Sequence, residues 1–114
     1  MALKKLKELT PIEKEIAKKV AASLKLNHMG QNLAISNSQM VSALKHVGIQ
    51  VSDSVIRKII NFIRHKGYPV CSSSRGYWWA ANKKELKECI DALEDRVQAQ
   101  LATLNNLKDI YKKY

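Results

Sequence analysis

"VSDSVIRKIINFIRHKGYPVCSSSRGYWWA", residues 51–80, changes its periodicity part-way. In its first half Val55, Ile56, Ile59, Ile60 and Ile63 return at helical spacing and share one face. Ser52 stands where an N-cap belongs, Val51 and Ile56 are placed as a hydrophobic staple, and Gly67 with Pro69 stops the helix. In the second half, residues 68–71 and 77–80 alternate like strands around a small polar turn holding Arg75 and Gly76. Val70 and Ser72 share one face and Cys71 the other, while Tyr77 and Trp79 oppose Trp78. So short a hairpin is marginal alone, and one face is expected to pack on helices. One tryptophan then belongs to the core and the other to a rim or partner contact.

Upstream, two more helix starts are legible. "TPIE" at 10–13 offers Thr10 as N-cap, Pro11 at the first helical position and Glu13 to close a capping box. Ile12, Ile16, Val20 and Leu24 then give one apolar face. "SNSQ" at 36–39 repeats the box with Ser36 and Gln39, and Ile35 with Met40 forms a second staple. Met40, Val41, Leu44 and Val47 form the face, and Gly48 ends the helix. Residues 33–35 are expected as a short strand beside the hairpin. Residues 1–9, with Leu3, Leu6 and Leu9, read as an N-terminal basic arm or a helix extension.

Downstream, "NKKE" at 82–85 caps a long helix with Asn82, and Glu85 is expected to reach back to the cap. Leu86, Ile90, Leu93, Val97, Gln100, Leu104, Leu107 and Tyr111 follow alternating spacings of four and three. That is a heptad seam with one polar position, Gln100, able to fix register. Its predicted length of about 45 Å exceeds what a compact domain covers. Either the seam meets another chain or it folds back on the first helix and the leucines of 1–9. A homodimer through this helix is the favoured expectation.

The fold expected is mainly α with a small β-hairpin: one domain over 10–81 and a C-terminal dimerisation helix over 82–114. Twenty Lys and Arg against ten Asp and Glu leave a net charge of +10. The excess lies before residue 83, since Lys45, Arg57, Lys58, Arg64, Lys66 and Arg75 face only Asp53 between 28 and 82. A field of that sign attracts polyanions, nucleic acid first. No apolar run approaches the length of a transmembrane span, so no membrane partner is expected. The N-terminus lacks the apolar core of a signal peptide, and Cys71 with Cys89 fits a reducing compartment. The expected location is the cytoplasm: on the nucleoid of a bacterium, or in the host cell if phage-encoded.

The helix pair around "HVGIQVSDS" (residues 46–54) has the tight glycine turn of a helix-turn-helix, whose second helix enters the major groove. Burying the isoleucines of that helix leaves Ser54, Arg57, Lys58, Asn61, Arg64 and His65 on or near its outer side. Arginine pairs with guanine, asparagine with adenine, and serine or lysine grips phosphate. The hairpin tip adds Arg75 and the hydroxyls of Ser73 and Ser74, suited to phosphate or a narrow minor groove. The hairpin thus reads as a wing beside a recognition helix.

With these residues in view, the stretch 51–80 resembles the winged helix-turn-helix of biotin-operon-repressor-like proteins. The resemblance rests on Val51, Ser52, Val55, Ile56, Arg57, Lys58, Ile60, Ile63, Arg64, Gly67, Tyr68, Val70, Ser72, Gly76 and Tyr77. It covers roughly residues 10–80 and implies DNA contact by Ser52, Ser54, Arg57, Lys58 and the wing around Arg75. Trp78–Trp79 departs from the family pattern, and no ligase or effector domain is expected to follow.

Chemistry of other kinds finds no support. His28, His46, His65, Cys71 and Cys89 have no metal-ligand spacing, four glycines form no phosphate loop, and Ser72–Ser74 have no base beside them in sequence. No metal, cofactor or catalytic residue is expected. The function expected is sequence-specific double-stranded DNA binding by a small dimeric transcriptional regulator or origin-binding factor, phage or mobile-element encoded. The rival is a winged-helix interaction module, an adaptor or inhibitor that binds a protein. A third reading is single-strand binding through the tryptophans.

Overall fold

The computed structural model describes residues 8–114. The expectation for the arm at 1–9 therefore falls largely outside the described residues, apart from Leu9, which is buried in the core. Three helices come first: α1 (Pro11–Asn27), α2 (Asn37–His46) and α3 (Asp53–His65). A hairpin of β1 (Val70–Ser73) and β2 (Gly76–Trp79) leads into α4 (Lys83–Lys112).

The starts are fixed by local chemistry. Thr10 Oγ1 accepts from Glu13 N at 3.1 Å, and Glu13 Oε1 accepts from Thr10 N at 2.9 Å. Ser36 and Gln39 make the same reciprocal box for α2 at 3.1 and 2.9 Å. Ser52 Oγ accepts from Val55 N at 3.3 Å to start α3. Each cap satisfies a backbone N–H that the first helical turn leaves open.

Packing is centred on α3. Ile56, Ile59, Ile60 and Ile63 are almost wholly buried, and α1 and α2 both lie against this helix. Truncating one such isoleucine costs about 2–5 kcal/mol, so this face holds the domain together. Two residues expected on apolar faces are instead outside. Ile12 is 74% exposed and Val47 70% exposed. Ile12 sits in the first turn of α1, and Val47 is the C-cap of α2, where the chain has already left the helix.

The hairpin register pairs Val70 with Trp79, Cys71 with Trp78, and Ser72 with Tyr77. Both of its faces are covered. Val70, Tyr77 and Trp79 pack on the helical core, whereas Cys71 and Trp78 lie under the first turns of α4. Trp78 is 4% exposed and Trp79 half-buried at a rim, tilted against Tyr68 with ring centroids 5.5 Å apart.

The second edge of β2 is also bonded. Ile35 and Tyr77 exchange N–H···O bonds of 2.8 Å each way, and Trp79 N donates to His28 O at 2.8 Å. The strand expected at 33–35 reduces to this one bridge at Ile35, because Gln31–Leu33 forms a 3-10 turn. Gly76 makes the close approach possible. Its φ is +119°, and a Cβ there would overlap the Ile35 carbonyl.

α4 starts on Asn82, whose Oδ1 accepts from Glu85 N at 2.9 Å. Glu85 does not bond the cap residue as expected. Its carboxylate accepts from Ala81 N at 3.0 Å and from Gln31 N at 3.1 Å, tying α4 to the α1–α2 connection. Beyond Ile90 the helix leaves the domain, and every residue from 91 to 114 is exposed. Among the described residues the seam does not fold back on the domain, since α4 contains no buried residue; Leu3 and Leu6 lie outside the described residues. Among the described residues, no helix is long and apolar enough to cross a membrane.

Candidate nucleic-acid interface

With its isoleucines buried, α3 presents an outer ridge of Ser54, Arg57 and Asn61. These residues are three and four apart and stack along one line of the helix. Arg57 and Asn61 are exposed, and their side chains have no described partner. His65 continues the ridge, its Nδ1 lying 2.9 Å from Asn61 O. Ser54 Oγ lies 3.0 Å from Ser52 Oγ, which is itself occupied as the N-cap.

Two cations expected on this face from helical spacing are turned into the fold. Lys58 Nζ is bonded to Glu13 Oε1 at 2.9 Å, pairing α3 with the first turn of α1. This bond, reinforced by Thr10 N, holds the Glu13 carboxyl below its usual range. Arg64 donates from Nε to Val70 O at 2.8 Å and from a terminal nitrogen to Ser72 Oγ at 2.9 Å. Both flank the buried face, where α1 and β1 come within reach of a long side chain. Arg64 thus braces the hairpin against the end of α3.

The hairpin tip is Ser74–Arg75, and Ser73 Oγ accepts from Arg75 N at 3.1 Å to tighten it. Ser73, Ser74 and Arg75 are exposed, and the Arg75 guanidinium has no described partner. At the other side of β2, Asn37 Nδ2 reaches Tyr77 OH at 3.2 Å and Asp53 O at 3.5 Å. The N-termini of α2 and α3 therefore converge beside the hairpin.

The electrostatics of this surface are one-sided. Asp53 is the only acid between residues 28 and 82, while Lys45, Arg57 and Arg75 are exposed and carry no described ion pair. Among the described residues, no cluster of His, Cys, Asp or Glu could hold a metal ion. Cys71 is buried, and its thiol is pushed up to about 12 by burial and by the neighbouring Cys89.

On α4, Leu86 is half-buried against the domain, while Ile90, Leu93, Val97, Gln100, Leu104, Leu107 and Tyr111 are exposed. Leu101 belongs to the same stripe although a strict heptad omits it. It lies four residues after Val97 and three before Leu104, a signal readable from the sequence. Ile110 flanks the stripe near its end.

Comparison with known proteins adds no relative: no family model, curated protein or solved structure matches the chain.

Proposed function

We propose that this chain is a winged helix-turn-helix protein that binds double-stranded DNA. In this reading α3 enters the major groove, the hairpin is the wing on backbone or minor groove, and α4 joins two chains. One observation carries the reading: Arg57 and Asn61 stand unpartnered on the outer ridge of α3, with Arg75 unpartnered at the hairpin tip. Arginine and asparagine are the side chains that pair bidentately with guanine and adenine. Arg75 supplies a phosphate or minor-groove contact beside them. The reading groups are Ser54, Arg57 and Asn61, with Ser73, Ser74 and Arg75 on the wing. Lys58 and Arg64 hold the reading elements in place, as their bonds to Glu13 and Val70 indicate.

The biological role in this reading is that of a small dimeric regulator of transcription or an origin-binding factor. Selection of bound sequences from random duplex DNA tests it. A recovered consensus that Arg57→Ala no longer prefers supports the reading, and recovery of no consensus counts against it.

A groove of about 650 Å³ favours the alternative reading, a protein-interaction module. Phe62, Tyr68 and Trp79 line it, with Lys25 5.8 Å from the Trp79 ring and Lys66 5.2 Å from the Phe62 ring. Apolar floor and basic rim suit an acidic amphipathic peptide. Capture of such a peptide, with no duplex binding even at low salt, would favour this alternative.

A further inference from the structure

α4 leaves its domain with an apolar stripe that no described residue covers. Ile90, Leu93, Val97, Leu101, Leu104 and Leu107 are each 46–59% exposed along one face. Together they present on the order of 600 Å² per chain, the top of the range for the largest patch on a monomer. Two such stripes pressed together approach the roughly 1,200 Å² of a stable interface. A second copy of the chain offers a stripe of the same length and spacing.

Charge gives the pairing a direction. Between residues 83 and 95, Glu85, Glu88, Asp91, Glu94 and Asp95 outnumber Lys83, Lys84 and Lys87. Between 96 and 114, Arg96, Lys108, Lys112 and Lys113 face only Asp109. The domain at the N-terminal end of α4 holds ten Lys and Arg against four acids over residues 8–82. A parallel pair sets acidic half beside acidic half, basic beside basic, and two basic domains side by side. An antiparallel pair sets each acidic half along a basic half. It also separates the domains by roughly 25 Å of helix, well beyond the screening length of about 8–10 Å.

The apolar layers survive the reversal. Pairing Leu93 with the partner's Leu104 also sets Ile90 against the partner's Leu107 and Leu86 against the partner's Tyr111. Val97 then meets the partner's Gln100 at the centre, where the two glutamines approach each other across the two-fold axis. Ile110 flanks the partner's Cys89, an apolar contact that a parallel pair lacks. Lys108 of the partner subunit lies near Lys87, but Lys87 is already held by Asp91 at 2.5 Å.

We infer that two copies of this chain pair through α4 in antiparallel orientation, with Leu93 beside the partner's Leu104. This rests on the α4 pairing within the proposed function and not on DNA binding. Cross-linking of the full chain tests it in a Cys89→Ser background, with the buried Cys71 left in place. Leu93→Cys and Leu104→Cys chains, one carrying a tag, are treated with a short bismaleimide separately and after mixed refolding. The antiparallel pair predicts a several-fold excess of cross-linked dimer in the mixture over either chain alone. Efficient cross-linking of each chain alone would overturn the orientation and leave the dimer standing. A monomeric mass by light scattering, with no cross-link in any sample, would overturn the pairing itself, whatever the chain does with DNA.

Discussion

Lys58 Nζ lies 2.9 Å from Glu13 Oε1, so two consecutive cations on α3 point different ways. Arg57 faces solvent, and Lys58 fastens α3 to the cap of α1. The bond that draws Lys58 off the outer ridge ties α3 to α1.

The pair therefore separates binding from stability. Arg57→Ala is expected to cost about 1–3 kcal/mol of specific duplex binding and to leave the melting temperature unchanged. Lys58→Ala is expected to lower the melting temperature, because it strips a partly buried carboxylate of its partner, while retaining more duplex affinity than Arg57→Ala. Thermal melts and fluorescence anisotropy on both variants check this. The reverse pattern would return Lys58 to the DNA-contacting set.

At the hairpin tip, Arg75→Ala is expected to weaken binding to many sequences alike. It should also lower the slope of log affinity against log salt by about one unit. Titrations at several salt concentrations read this slope directly. A loss confined to one base pair, with the slope unchanged, would assign Arg75 to base reading instead.

Stability should fall at both ends of the pH range. Hydrogen bonds from Lys58 and Thr10 N lower the Glu13 pKa, and those from Ala81 N and Gln31 N lower that of Glu85. A carboxylate with a lower pKa in the folded state stabilises the fold at neutral pH. That contribution is lost as pH falls through the ordinary value of 4.5 and below. Cys71 works with the opposite sign. Its thiol is raised from 9.0 to about 12, so stability is full below 9 and declines as pH climbs towards 12. Urea midpoints across this range check both limbs, and Glu13→Gln should flatten the acid limb.

Gly76→Ala tests the seating of the hairpin. At φ +119°, with the Ile35 carbonyl in the way, the methyl group forces the hairpin off the α1–α2 connection. A destabilisation of more than about 1 kcal/mol is expected, with weakened duplex binding. A neutral substitution would show that the Ile35–Tyr77 bridge does not hold the hairpin.

Much of this architecture is legible in sequence because its signals are local. The caps at Thr10, Ser36, Ser52 and Asn82 each act within three residues, and the isoleucines of α3 repeat within one helix. What stayed hidden depends on tertiary angles. Lys58 meets Glu13 across 45 residues, and Gln31 meets Glu85 across 54. Neither contact leaves a periodic trace. Strand alternation put Trp78 and Trp79 on opposite faces but could not say that α4 covers the former. The exposed ridge is legible at Ser54, Arg57 and Asn61, whereas the long side chains of Lys58 and Arg64 reach back to flanking elements, which spacing does not reveal.

Assembly is tested by Leu93→Glu, which places a charge in the exposed stripe of α4. Loss of the dimer with helical content intact is expected, because the domain before residue 82 has its own core. Affinity for a two-half-site duplex should then fall far more than affinity for a single half-site, since linked heads gain effective concentration. Equal losses on both duplexes would remove the paired-head arrangement.

Duplex binding of the wild-type chain, titrated across a range of salt, tests the central claim most directly. Several phosphate contacts predict a linear fall of log affinity with log salt at a slope of about −0.9 per contact, together with tighter binding to selected than to random duplex. Absence of duplex binding at low salt, or an affinity indifferent to salt and sequence, would contradict the account.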